Sequence, residues 1–131
     1  MQKKIVLALL LVCGTAQASN WMKIPRSATA TGADYIDMES IKTDGAMRRA
    51  WIKTVFLPNT MKGLSPRKTM WVSLVMSLLE FNCSEESSRS LSFTGYYTDN
   101  DKITVNSPSA WQPVAPDTVD QARFDFVCHP K

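Results

Sequence analysis

Histidine is almost missing from this 131-residue chain; the single one, His129, stands two residues from the end. A Ser-His-Asp arrangement needs its histidine oriented by a rigid third group, and a chain terminus is a poor support for that. Glycine is scarce too, five residues in all, and no Gly-rich phosphate loop can be assembled from them. No CxxC or HxxxH spacing occurs. A metal set built from Cys83, Cys128 and His129 is disfavoured because adjacent residues rarely bind one ion well. Glu85 and Glu86 are neighbours rather than a separated acid and base, and such a pair needs two different environments. Glu80 lies inside an apolar stretch, where an arginine partner is the usual resolution. These absences leave no catalytic constellation and call for no cofactor. They point to a binding module rather than an enzyme.

Long apolar runs are lacking as well. The run at residues 5–12 is eight residues long, against about 20 for a membrane span. Preceded by Lys3 and Lys4 and followed by Ala16-Gln17-Ala18, it reads as a secretory leader over residues 1–18, with Ser19 as the mature start. Cys13 is the one candidate for a lipid anchor, but Val12 precedes it where a lipid-attachment signal wants a small residue. Membrane contact is therefore expected only if Cys13 is lipidated.

Charge of one sign is also short. Lys3 and Lys4 leave with the leader, so 15 basic residues become 13 against 12 acidic ones, a net charge of +1. A nucleic-acid partner calls for a clustered basic surface, which this balance does not supply. With 44% apolar residues, residues 19–131 read as one folded domain.

That domain keeps two cysteines, Cys83 and Cys128, and an even count in an exported chain reads as a disulfide. Closing a loop of 45 residues contributes roughly 4 kcal/mol on the chain-entropy model, a large share of the ~5–15 kcal/mol that stabilises a domain of this kind.

Residues 111–128, WQPVAPDTVDQARFDFVC, organise the rest. Pro113 and Pro116 oppose a regular element before Asp117. Thr118 and Gln121 have capping-box spacing, which predicts a hydroxyl bond to one free N–H and an amide bond back to another. Asp117 and Asp120 suit the helix dipole. Val119, Ala122, Phe126 and Val127 share a broad face, interrupted by Arg123, that should lie on something apolar. Cys128 ends this helix, so a bond to Cys83 would pin it to a sheet.

Upstream, residues 21–25 read as an edge strand, 27–32 as a loop and 35–37 as a brief strand. Asp44-Gly45 signals a hairpin. Residues 47–57 form a strand with Ala50, Ile52, Thr54 and Phe56 on one face and Trp51 and Val55 opposite. Residues 58–68 are a loop carrying Lys62, Arg67 and Lys68, a candidate contact for an acidic partner. Residues 70–83 are ambiguous. Trp71, Leu74, Val75, Leu78 and Leu79 have helical spacing, whereas a strand would be apolar on both faces and need cover on each. Residues 89–97 alternate, with Leu91, Phe93 and Tyr97 facing away from Ser90, Ser92 and Thr94. Asp99-Asn100-Asp101 marks a turn, 102–105 a strand, and 106–116 an irregular stretch. The four tryptophans, Trp21, Trp51, Trp71 and Trp111, should mostly be core, with one or two left over for an exposed contact patch.

Several of these residues match a known family. Trp21, Tyr35-Ile36-Asp37 with Ser40-Ile41, Trp51, Leu79-Glu80-Phe81-Asn82-Cys83, and Trp111 with Pro116-Asp117-Thr118-Val119 and Val127-Cys128 resemble the bacterial surface-adhesin protein E family. The resemblance spans nearly all of 19–131. It implies an α+β fold of about six antiparallel strands, with a C-terminal helix tethered on one face by Cys83–Cys128. It makes 70–83 a strand. Members look like host-protein-binding adhesins that dimerise, which implies an exported, periplasmic or surface-displayed homodimer with a protein ligand. Two departures stand out: Val12 before Cys13, and Asp117 where the family tends to carry glycine.

Overall fold

A computed structural model describes residues 18–63 and 69–130; all of the expected leader but Ala18, and with it Cys13, lies outside the described residues. In chain order the strands are β1 (Trp21–Lys23), β2 (Gly32–Asp37), β3 (Lys42–Asp44), β4 (Met47–Phe56), β5 (Val72–Asn82), β6 (Ser87–Tyr97), β7 (Lys102–Val105) and β8 (Gln112–Pro113). The helix α1 (Val119–Cys128) follows. All pairings are antiparallel in one sheet ordered β1-β2-β4-β5-β6-β7. The α+β class implied by the family resemblance is the class observed, with eight strands in place of six.

The two extra strands share a physical origin. β2 and β3 lie end to end along the same edge of β4, while β7 and β8 lie end to end along β6. Each of these two rows is broken in the middle, and a serine fills the break. Ser40, in a single 3-10 turn over Met38–Ser40, accepts the Trp51 N–H at 2.9 Å. Ser109 accepts the Ser90 N–H at 3.0 Å. Backbone donors along a strand still seek a partner where the neighbouring strand stops, and here a hydroxyl serves. β8 also overturns the irregular reading of 106–116: Pro113 tolerates the sheet because it sits on an edge, opposite Ser87.

β5 is a strand despite its helical spacing. It sits between β4 and β6 and bonds to both along nearly its whole length, so pairing on two sides overrides a periodicity that two apolar faces mimic. A bulge between Leu78 and Leu79 shifts the register against β6. That shift corrects the simple alternation expected for 89–97. Ser90 lies opposite Leu79, and Ser92 opposite Leu78, so the serines fall on different faces and Leu91 is the inserted residue.

The core lies between the sheet and α1. Ile24, Ile36, Ala50, Ile52 and Phe81 from the sheet side meet Ala122, Phe124 and Val127 from the helix. The expected helix face omitted Phe124, which is the most deeply buried helix side chain and packs against Phe81 with ring centroids 6.5 Å apart. The Thr118 hydroxyl accepts the Gln121 N–H at 3.2 Å, so the predicted cap forms. Its reciprocal half does not: the Gln121 amide donates to the Asp125 carboxylate at 2.6 Å instead. Cys83 and Cys128 are bonded, with Cα atoms 5.5 Å apart, fastening the last helical turn to the end of β5.

Candidate binding surface

The two faces of the sheet differ sharply. Side chains of even-numbered β4 residues turn toward α1, and the register carries the odd-numbered ones to the other side. Trp51 lies opposite Leu78, Lys53 opposite Met76 and Val55 opposite Leu74. Tyr35 of β2 lies beside Lys53. Trp51 is 37% exposed and Val55 40%, and among the described residues no second layer packs on this face. The expectation that β5 would be apolar on both sides holds, and so does the placement of Trp51 and Val55 away from the core.

Charges frame this apolar strip and are mostly engaged. The Lys53 ammonium lies 4.4 Å from the Trp21 ring centroid and 5.6 Å from that of Tyr35, a cation held between two aromatic faces. Glu80 finds the arginine partner anticipated for it: Arg89 Nε and Nη2 contact one carboxylate oxygen at 2.9 and 2.8 Å. The Arg89 guanidinium in turn stacks on Trp111 at 4.7 Å. Strand pairing puts Arg49 directly opposite Glu80, so this rim is a cross-strand row of alternating charge.

At the other end of β5, Lys62 and Trp71 form an isolated bridge, and the Lys62 ammonium lies 4.4 Å from the Trp71 ring centroid. Of the three basic residues expected to form a contact loop, Lys62 is thus docked on an aromatic. Arg67 and Lys68 lie outside the described residues.

The covered face holds a feature with no clear signal in the sequence. Asp34 on β2 has a side chain only 2% exposed, and it accepts from Thr54 Oγ1 at 2.7 Å and from Arg123 Nε at 2.6 Å. Arg123 also contacts Asp120 at 2.8 Å. The arginine that interrupts the helix's apolar face is therefore a tie between helix and sheet, 89 residues apart along the chain. It borders an open hollow of about 300 Å³ lined by Thr54, Val75, Ser77 and Val119. Nearer the helix end, the Arg26 guanidinium donates to Asp125 at 2.8 Å and holds that carboxyl below its ordinary pKa, with the Gln121 amide assisting. His129 packs edge-on against Phe124 at 5.8 Å. Among the described residues no group of three or more His, Cys, Asp and Glu side chains is placed to hold a metal ion.

A single antiparallel sheet with one tethered helix and an open apolar face defines the class: a small α+β binding domain. The chain belongs to the surface-adhesin protein E family, whose model matches residues 21–129. That membership supports a surface adhesin and implies an exported, cell-surface protein. The selenomethionine form of Haemophilus influenzae protein E shares the fold at 15% identity and a TM-score of 0.59, covering 88% of this chain and 91% of that one. Its second crystal form aligns with a TM-score of 0.55 at 14% identity, covering 84% and 96%. Protein E from non-typeable Haemophilus influenzae gives 0.52 at 15% identity, covering 86% and 84%. No curated protein sequence matches the chain.

Proposed function

We propose that this chain is an exported, non-enzymatic adhesin that binds a host extracellular protein and pairs with a second copy of itself through the open sheet face. Residues 1–18 are removed as a leader, and 19–131 act as one domain. The observation that carries the reading is the strip formed by Trp51, Val55, Leu74, Met76 and Leu78, which is apolar and faces away from the helix. Contiguous exposed apolar surface of this kind marks an interaction site. Two such strips related by a two-fold axis also bring the framing charges of one copy against those of the other. The loop over residues 58–68 supplies basic contacts for the protein ligand through Lys62, Arg67 and Lys68. Analytical ultracentrifugation at high micromolar concentration should give a dimer, and protease treatment of intact cells should remove the protein. A monomer throughout that range overturns the pairing; a protein untouched on intact cells overturns surface adhesion.

A second reading is favoured by Val12, which stands where a lipid-attachment signal wants a small residue. An unlipidated product would be a soluble periplasmic accessory or inhibitor of the cell envelope. Mass spectrometry of the mature N-terminus separates the two: a lipidated Cys13 supports the anchored adhesin, and a free Ser19 supports the soluble protein.

A further inference from the structure

The hairpin joining β5 to β6 closes one end of the open face, and beside it lies a hollow of about 340 Å³ lined by Asn82, Glu85, Ser87, Trp111, Gln112 and Pro113. Its volume is at the lower end of small-ligand sites, roughly 300–1,000 Å³. Trp111 is 37% exposed, yet it is not loose. Arg89 stacks on the indole at 4.7 Å and is itself clamped by Glu80. A large aromatic side chain is thus held in place at the surface by a charge pair, with part of its surface open to solvent.

The other wall residues are planar polar groups with spare capacity. Asn82 Oδ1 accepts from the backbone N–H groups of Ser84 and Glu85 and from the Ser84 hydroxyl. That fixes the amide and leaves its two N–H donors unspent. Among the described residues no hydrogen bond or ion pair engages the Glu85 carboxylate or the Gln112 side-chain amide. A held indole beside a locked amide donor, a free amide and a free carboxylate suits a ligand with one apolar C–H face and paired hydroxyls on its edge. A pyranose ring has that shape.

We propose that this hollow binds a neutral hexose or N-acetylhexosamine ring, stacked on Trp111 and hydrogen-bonded by Asn82, Glu85 and Gln112. Charge selects within the class. Glu85 and Glu86 are both exposed, and the Arg89 guanidinium is committed to Glu80, so sulfated and sialylated sugars are repelled. The site is distinct from the Lys62 end of the sheet. β5 is 11 residues long, which separates the two ends by about 33 Å.

The test is titration of the ¹⁵N-labelled, disulfide-bonded protein with N,N′-diacetylchitobiose and with methyl β-galactoside, a heparin tetrasaccharide serving as the charged control. At millimolar concentration one of the neutral sugars should shift the Trp111 indole N–H and the amides of Ser84 and Ser87. Trp111→Ala should weaken that binding about tenfold, as expected for loss of a stacking platform, while Trp111→Phe stays within about threefold of the parent. An indole signal unmoved by both neutral sugars, a response that survives Trp111→Ala, or stronger shifts with the heparin fragment each overturn the proposal. It does not depend on self-association, because a Trp51→Lys monomer keeps the hollow intact; failure of one reading leaves the other standing.

Discussion

The two faces of this sheet use the same kinds of residue to opposite ends. On the covered face Ile36, Ile52, Phe81 and Phe124 bury one another and are sealed by a disulfide and a buried ion pair. On the open face Trp51 and Val55 stay exposed and Leu74 and Met76 half-buried, framed by Lys53, Glu80 and Arg89. Burial stabilises the fold only where water is excluded. The covered face therefore supplies stability, and the open face holds apolar area available to a partner. A domain organised this way can accept substitutions on its open face with little effect on folding.

Mutations on the two faces test that division, and the largest expected effect belongs to the covered one. Phe124→Ala removes a fully buried ring and should cost about 3–5 kcal/mol in urea denaturation, whereas Trp51→Ala should cost the monomer less than about 1 kcal/mol. Equal losses at the two positions would erase the distinction. Replacing both cysteines, Cys83→Ser with Cys128→Ser, should lower stability by roughly 4 kcal/mol, and alkylation of the unmodified protein should find no free thiol at either position. Arg123→Met leaves the Asp34 carboxylate buried with Thr54 as its remaining donor and should cost about 3 kcal/mol. Trp51→Lys inverts the pattern, changing monomer stability by no more than about 0.5 kcal/mol while sedimentation should show the dimer gone.

The smallest effect is electrostatic. Asp125 has a lowered folded pKa, so its contribution is present above the ordinary aspartate value of 3.8 and is lost as pH falls through the folded value. Arg26→Ala should bring the Asp125 titration, followed by carboxyl NMR, back up toward 3.8. Because the pair is open to solvent, stability at neutral pH should hardly move.

The open face was more legible in the residues than the covered one. The odd-even split of β4 placed Trp51 and Val55 correctly, because strand alternation is a local property. Glu80 announced its need for a cation by standing in an apolar run, and Arg89 meets it. The Asp34–Arg123 tie gave no such sign: Asp34 falls between the loop read at 27–32 and the strand read at 35–37, and its partner lies 89 residues away. Phe124 escaped because a helix seated on a sheet and anchored at its end buries a wider arc than one stripe predicts. The β5 periodicity misled for the opposite reason, since a strand apolar on both sides contains helical spacing by accident.

Asp117 illustrates the remaining gap. Its φ of 57° is left-handed, a conformation glycine adopts freely and other residues enter at a cost. Glycine would meet this backbone requirement without strain, and Asp117→Gly should stabilise the domain by up to about 1 kcal/mol in urea denaturation.

The bond between Cys83 and Cys128 makes everything between them a covalent ring. β6, β7, β8 and the helix all belong to that ring. A protease that nicks the turn at Asp99–Asp101 or the stretch near Ser109 therefore separates nothing: both pieces stay joined through sulfur and through the strand pairs on either side. One cut inside the ring leaves the domain in place, and a fragment of the ring is shed only after a second cut within it or a reductant.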